Sequence, residues 1–131
     1  MKILLVEDDE VFHAVIAPAL SKQGHEVTSV LSGEDALEKI RAGKFDLILV
    51  DILMPNKDGI DTIQEIRDTD VDVKIIAISA GGKVGYSSFL ELAQTVGANA
   101  CLEKPFTPPV LLEKIKEVMN DLGQMKTMWR F

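Results

Sequence analysis

Carboxylate, hydroxyl and amino side chains stand directly after four apolar runs of this 131-residue chain: Glu7, Asp8, Asp9, Asp51, Ser79 and Lys104. Carboxylates packed together repel one another, so their pKa values would rise unless a cation lay among them. Oxygen ligands that remain open to water suit Mg²⁺, and a lysine and a serine would pair with phosphoryl oxygens. The set therefore provides the groups for phosphoryl transfer, in which an aspartate can be the nucleophile.

These residues can meet if the runs before them are parallel strands of one sheet. Short runs rich in branched residues predict strands at residues 2–6, 25–31, 45–50, 73–78 and 99–103. Helix-period segments between them predict helices at residues 9–22, from 33, at 59–68, at 87–95 and from Pro108 or Pro109. Alternating strands and helices predict a parallel sheet covered on both faces, with its ligand site at the carboxyl ends of the strands.

Two of the predicted helices carry specific local expectations. The first is expected to turn one apolar face inward, consisting of Phe12, Val15, Ile16 and Ala19. We expect Pro18 on its solvent side, with a kink near Ala14 or else two helical pieces, because a proline inside a helix removes a hydrogen bond. Ser32 is the expected cap of the second helix.

The composition excludes several classes of protein. Hydrophobic residues make up 47% and charged residues 27% of the chain, which is ordinary for a soluble domain. With 21 acidic and 14 basic residues, the net charge of −7 argues against direct nucleic-acid binding. A single cysteine permits no internal disulfide and favours a cytoplasmic location, and no apolar run is long enough to cross a membrane.

The segments LLVEDD, VDILMPNKDG, IIAISA and CLEKPF resemble, in this order, the four signature stretches of receiver domains of two-component response regulators. They span residues 3–106, and the last helix extends the match to about residue 122. The resemblance implies a flavodoxin-like, doubly wound α/β fold, with five parallel strands in the order 2-1-3-4-5 and five helices. We therefore expect a receiver domain at residues 1–122 and a C-terminal tail at 123–131.

The resemblance also assigns roles to the clustered residues. Asp51 would be the phosphoacceptor, and Mg²⁺ would be held by Asp8, Asp51, the backbone carbonyl of Leu53 and, through water, Glu7. The phosphoryl group would be contacted by Ser79, the backbone N–H of Ala80, and Lys104. The family's usual cis bond in Lys-Pro-Phe would here be Lys104–Pro105, which would place the ammonium over the site.

Two features depart from the receiver pattern. Cys101 stands where receivers usually carry an aromatic residue that moves when the phosphorylated site is formed, and we interpret this cysteine as a small buried residue. The second departure is the glycine-rich segment 81–85, and the chain from Ser79 to Lys104 looks a few residues longer than in chemotaxis-type receivers. Our hypothesis is that this segment reorders over the site, with Tyr86 or Phe89 replacing the missing aromatic; a plain surface loop is the alternative.

Four further features have simpler interpretations. Asp9 is expected to start a helix, and Asp58 with Gly59 to form a cap and turn. His13 and His25 lack a partner at metal-ligand spacing, so surface positions are expected. The tail is apolar and mildly basic, and fraying is expected unless it docks on this domain or on a partner.

The implied function is a switch that accepts a phosphoryl group from a sensor histidine kinase or a histidine phosphotransfer protein and then binds a downstream protein. It would catalyse its own phosphotransfer and slow dephosphorylation without being an enzyme in the usual sense, as a monomer or a phosphorylation-dependent dimer. A phosphorelay intermediate and the N-terminal part of a larger regulator stay open. A phosphatase with an aspartyl-phosphate intermediate would need a second Asp at position 53, which is Leu, and a flavodoxin-type cofactor site would need a phosphate loop in place of Glu7-Asp8-Asp9.

Overall fold

The computed structural model describes residues 1–52, 59–80 and 86–120, and for residues 80 and 86–90 it describes the backbone alone. Five strands form one sheet: β1 (Lys2–Val6), β2 (Glu26–Val30), β3 (Leu47–Asp51), β4 (Lys74–Ala80) and β5 (Ala100–Lys104). All neighbouring strands are parallel, and their order is β2-β1-β3-β4-β5. The predicted flavodoxin-like sheet is therefore confirmed.

Helices connect the strands and cover both faces of the sheet: α1 (Glu10–Lys22), α2 (Gly33–Ala42), α3 (Gly59–Thr69), α4 (Tyr86–Val96) and α5 (Pro108–Met119). The start of α2 is fixed by the predicted cap, since the Ser32 hydroxyl accepts the Asp35 N–H at 3.1 Å. Among the described residues, none of the helices has the length and the apolar content that a bilayer crossing requires.

Alternate residues of the central strands supply two separate cores. Leu4, Ile48 and Ile75 point to the face covered by α2, α3 and α4. Their neighbours Ile3 and Leu47 point to the face covered by α1 and α5. Because successive side chains of a strand lie on opposite faces, a strand buried on both sides must be apolar throughout, as these runs are. The two cores hold the carboxyl ends of the strands at one edge.

The buried face of helix α1 differs from the predicted one at Val15 and Leu20. Ile16 and Leu20 are fully buried, and Phe12 packs against the same core, so an i, i+4 row faces the sheet. Val15 lies off that row and is 52% exposed, so the prediction that it is buried is wrong. The helix runs unbroken through the exposed Pro18, which rules out two pieces and confirms that the proline faces solvent.

Arg67 of α3 makes a network of hydrogen bonds that the sequence did not predict. Its Nε donates to the Gly97 carbonyl at 2.9 Å, Nη1 to the Val73 carbonyl at 2.6 Å and Nη2 to Asn99 Oδ1 at 2.9 Å. The same Asn99 oxygen accepts the Ile75 N–H at 2.8 Å. This Arg67 network ties the C-terminal half of α3 to the start of β4 and to the α4–β5 connection.

Candidate functional site

The strand ends bring the predicted residues to one edge of the sheet. Glu7 follows β1 directly, Asp51 and Lys104 are the last residues of β3 and β5, and Ser79 is the penultimate residue of β4. The pairing register aligns Val6 with Val50, Asp51 with Ile78, and Ala80 with Lys104. The order of the strands reverses between β1 and β3. The carboxyl ends of the strands at such a point are the usual ligand position in open parallel sheets.

Three carboxylates and one ammonium form the centre of this edge. Glu7 is fully buried, Asp51 is 5% exposed and Asp8 is partly buried, and one oxygen of each lies within 4.8 Å of the others. Lys104 Nζ lies 2.8 Å from Glu7 Oε1 and 3.5 Å from Asp51 Oδ2. With all three carboxylates ionised, one ammonium leaves negative charge uncompensated in a poorly hydrated place, which is costly.

The pKa values of Glu7 and Lys104 reflect this excess of negative charge. Burial raises the pKa of Glu7 to about 7, and the adjacent Asp51 carboxylate adds to the rise. The Lys104 ammonium and the Asp9 N–H, which donates to Glu7 Oε2 at 3.0 Å, act in the opposite direction. For Lys104, burial alone would lower the pKa, but the carboxylates of Glu7, Asp51 and Asp9 outweigh burial and raise it.

This donor set fits a hard divalent cation. Carboxylate oxygens from Glu7, Asp8 and Asp51 converge, and Asp8 keeps the site open to water. Mg²⁺ is usually bound by one or two protein carboxylates and retains several waters. A bound cation would also offset the excess negative charge that burial makes unfavourable. The predicted fourth ligand, the carbonyl of Leu53, lies outside the described residues.

Ser79 presents a buried hydroxyl at the same edge. It is 1% exposed, and its Oγ has no hydrogen-bond partner of normal geometry within residues 1–52, 59–80 and 86–120. The neighbouring Cys101 thiol is a weak partner for this hydroxyl. Burial raises the pKa of Cys101 to about 12, although the Ser79 hydroxyl lowers it slightly. An unsatisfied buried hydroxyl is costly, and an added oxygen atom at the site would satisfy it.

Gly59 allows α3 to begin against the backbone of Asp51. Its N–H donates to the Ile52 carbonyl at 3.2 Å. A Cβ at this position would lie 2.3 Å from the Asp51 carbonyl oxygen and 2.4 Å from Ile52 Cα. The sequence suggests a turn here, whereas the structure shows that this glycine sets how closely α3 approaches the site.

Phe12 is a site neighbour that the sequence predicts only as a core residue. Lys104 Nζ lies 4.3 Å from the centroid of the Phe12 ring. The ring also meets that of Phe106 edge to face, with centroids 5.3 Å apart and planes at 83°. One sequence signal is present, since Phe12 lies in the first turn of the helix that starts directly after the acidic triplet. Its contact partner Lys104 is far away along the chain, so the sequence contains no signal that the two residues meet.

The remaining predicted residues have mixed outcomes. The Lys104–Pro105 bond is cis, as predicted. Ala80 ends β4, but the glycine segment 81–85 and the tail lie outside the described residues, and the side chains of Tyr86 and Phe89 are not described. The hypothesis that they replace the missing aromatic therefore stays a prediction. His25 lies away from the carboxylates, with Nδ1 3.2 Å from the Met1 amino nitrogen.

Comparison with known proteins gives a consistent result. The family model of the response regulator receiver domain matches residues 3–116. Chemotaxis protein CheY of Thermotoga maritima is 33% identical over 118 residues, which cover 89% of this chain and 96% of that protein. A CheY-like response regulator receiver domain protein from Methanospirillum hungatei superimposes with a TM-score of 0.81 at 30% identity, over 95% of each chain.

Longer relatives match over part of their length. Transcriptional regulatory protein CseB of Streptomyces coelicolor is 34% identical over 121 residues, which cover 92% of this chain and 50% of that protein. The chain likewise spans about half the length of transcriptional regulatory protein DltR of Streptococcus agalactiae, at 31% identity.

Proposed function

This chain belongs to the response regulator receiver domain family, and on that premise we propose that Asp51 accepts a phosphoryl group from a sensor histidine kinase or a histidine phosphotransfer protein. The observation that carries the proposal is the position of Lys104, whose ammonium lies between the buried carboxylates of Glu7 and Asp51. A cation held beside a carboxylate nucleophile is placed to receive the oxygens of an incoming phosphoryl group.

In the proposed reaction, an Asp51 carboxylate oxygen attacks phosphorus in line, a P–O bond forms, and the P–N bond of the phosphohistidine breaks, with its electron pair leaving on the imidazole. Lys104 pairs with a phosphoryl oxygen as its contact with Asp51 is lost. Ser79 donates its hydroxyl hydrogen bond to a second oxygen, and the Ala80 N–H assists. Held by Asp8, Asp51, the Leu53 carbonyl and, through water, Glu7, Mg²⁺ would neutralise charge on the phosphoryl oxygens.

Phosphorylation would replace one carboxylate charge by a group of about −2 charge with three strong acceptors. The side chains of Ser79 and Lys104 would both have to move to pair with these acceptors. Ser79 lies near the end of β4, which leads to α4, and Lys104 ends β5, which leads to α5. We propose that the adjustment changes the binding of a downstream protein. The acidic net charge of −7 favours a protein partner over nucleic acid for this chain.

The chemical proposal is tested by intact mass after incubation with acetyl phosphate and Mg²⁺. We expect the wild-type chain to gain one phosphoryl group and Asp51→Asn to gain none. Asp68→Asn is the matched control, because Asp68 is exposed on α3 and should be labelled like wild type. Labelling that survives Asp51→Asn, or a wild-type chain that takes up no phosphoryl group, would overturn the proposal.

The output is tested separately, with beryllofluoride as a stand-in for the phosphoryl group. Proteins retained by the beryllofluoride-loaded chain but not by the untreated chain are the expected partners. An Asp51→Asn chain treated with beryllofluoride that retains the same proteins would show that retention does not depend on the site. If the retained protein is a histidine-containing phosphotransfer protein other than the phosphoryl donor, the chain would instead be an intermediate in a phosphorelay.

A further inference from the structure

We propose that Phe12 is a positioning residue for phosphoryl transfer, whose ring holds the Lys104 ammonium at the site by a cation–π contact. The inference rests on the proposed function of Asp51 and adds to it a residue whose side chain has no metal-binding or hydrogen-bonding group. Its basis is the 4.3 Å separation between Lys104 Nζ and the ring centroid. This lies well inside the distance of about 6 Å at which such contacts are effective.

The ammonium has two carboxylates and one aromatic ring as close neighbours among the described residues. Glu7 Oε1 lies at 2.8 Å, Asp51 Oδ2 at 3.5 Å and the Phe12 ring at 4.3 Å. The lysine side chain is 18% exposed, so it is largely shielded from water. A cation over an aromatic face is attracted more strongly when it is desolvated. The ring therefore contributes at a place where little water competes with it.

Unlike the two carboxylates, the Phe12 ring has no role in metal binding or in nucleophilic attack. Glu7 and Asp51 both belong to the carboxylate set that fits a divalent cation, and Asp51 is also the proposed nucleophile. Neither carboxylate can therefore hold the ammonium unchanged throughout the reaction. The Phe12 ring accepts no metal and does not react, so it keeps its contact while the carboxylates change partners. Without it, a side chain with four rotatable bonds would spread over conformers that point to solvent.

Phe12 is itself held in place from two sides. Its backbone N–H donates to the capping Asp9 Oδ1 at 3.2 Å, which fixes the first turn of α1 next to the site. Its ring meets Phe106 edge to face, and both rings pack against the core that α1 and α5 share. Phe106 follows Lys104 by two residues, so the ring contact joins α1 to the chain segment that carries the ammonium. The position of the ring is thus determined before any ligand arrives.

The contact is tested first in the metal-free chain by NMR. Protons on the lysine side chain next to a ring face are shifted upfield by the ring current. We expect the Lys104 ε-methylene protons to show this upfield shift in the wild type and to lose it in Phe12→Leu. Phe45→Leu is the matched control, because Phe45 is also a partly buried core phenylalanine but lies in the core on the opposite face. Identical Lys104 shifts in wild type and Phe12→Leu would overturn the proposal.

The role is tested by the rate of labelling with acetyl phosphate. Replacing Phe12 by mono-, di- and trifluorinated phenylalanine keeps the shape of the ring while it weakens the negative face. We expect the logarithm of the rate to fall steadily along this series, by about 5- to 30-fold in total. A purely steric role would leave the rates equal across the series, and that result would overturn the proposal.

Two natural substitutions complete the test. Phe12→Tyr keeps an aromatic face and should retain most of the wild-type rate. The labelling rate of Phe12→Leu should fall by the same factor as that of the trifluorinated variant. Phe45→Leu, with a similar measured stability, should keep the wild-type rate. Failure of the two proposals is distinguishable, because a wild-type chain that takes no label refutes the role of Asp51, whereas normal labelling with rates that ignore ring fluorination refutes the role of Phe12 alone.

Discussion

Replacing Gly59 by alanine tests how tightly the start of α3 is packed against Asp51. The added Cβ would lie 2.3 Å from the Asp51 carbonyl oxygen and 2.4 Å from Ile52 Cα, and both contacts are with backbone. Backbone atoms cannot rotate away as a flexible side chain can, so α3 or the end of β3 must shift by roughly 1 Å to restore ordinary contact.

The expected cost follows from two opposing effects. Overpacking of this kind costs about 1–3 kcal/mol, and a backbone partner places Gly59→Ala at the upper end. Alanine is favoured over glycine within a helix by at most about 1 kcal/mol, and this preference offsets part of the overpacking cost. We therefore expect a net loss of about 2 kcal/mol in the free energy of unfolding.

Urea denaturation followed by circular dichroism measures this loss. Gly43→Ala is the matched control, since a Cβ there has no atom within 4 Å and its φ of −169° is open to any residue. Its stability should stay within about 0.5 kcal/mol of wild type. If Gly59→Ala were as stable as Gly43→Ala, the close approach of α3 to Asp51 would be wrong. In the folded fraction of Gly59→Ala, labelling by acetyl phosphate should also be slower, because the Asp51 backbone has moved.

Two further predictions concern titrating groups. Folding raises the pKa of Glu7 from 4.5 to about 7, so the folded metal-free chain binds more protons than the unfolded chain between these values, and its stability should fall as pH rises through this window. Glu7→Gln should remove that slope, and an unchanged slope in urea titrations at several pH values would contradict the assignment. Burial raises the pKa of Cys101 from 9.0 to about 12, so its alkylation by iodoacetamide at pH 8 should be about 50-fold slower than in the urea-unfolded chain, after allowance for the greater nucleophilicity of a more basic thiolate. Equal alkylation rates, followed by mass spectrometry, would show that the pKa of the partly buried Cys101 thiol is not raised by folding.

The sequence is most informative where a single local rule determines the outcome. Apolar runs buried on both faces locate the strands to within about two residues, and residues that end parallel strands must share an edge. These two rules are sufficient to bring Glu7, Asp51, Ser79 and Lys104 together, as the strand ends do in the fold. The cap at Ser32 is equally predictable, because a serine side chain that precedes a helix has a defined partner.

Features that depend on the relative placement of elements are not predictable in this way. Val15 is apolar and therefore predicted on the buried face, but the rotation of α1 about its axis is set by packing, and it turns Val15 outward. The contact of Phe12 with Lys104 and the Arg67 network join residues far apart in the chain. Gly59 is recognisable as a turn residue, but its closeness to Asp51 is a property of the packed helix. Such contacts have no periodic or local signal in one sequence.

Arg67 has a consequence for how motion can spread from Asp51. Helix α3 is seated at both ends: Gly59 rests on the backbone of Asp51 and Ile52, and Arg67 bonds the carbonyls of Val73 and Gly97. A displacement at Asp51 that pushes on the first turn of α3 cannot be absorbed by bending its last turns alone. It must either break the partly buried hydrogen bonds of Arg67 or carry the α4–β5 connection with it. We therefore expect α3 to transmit a displacement at Asp51 to the α4–β5 connection, at the opposite edge of the sheet.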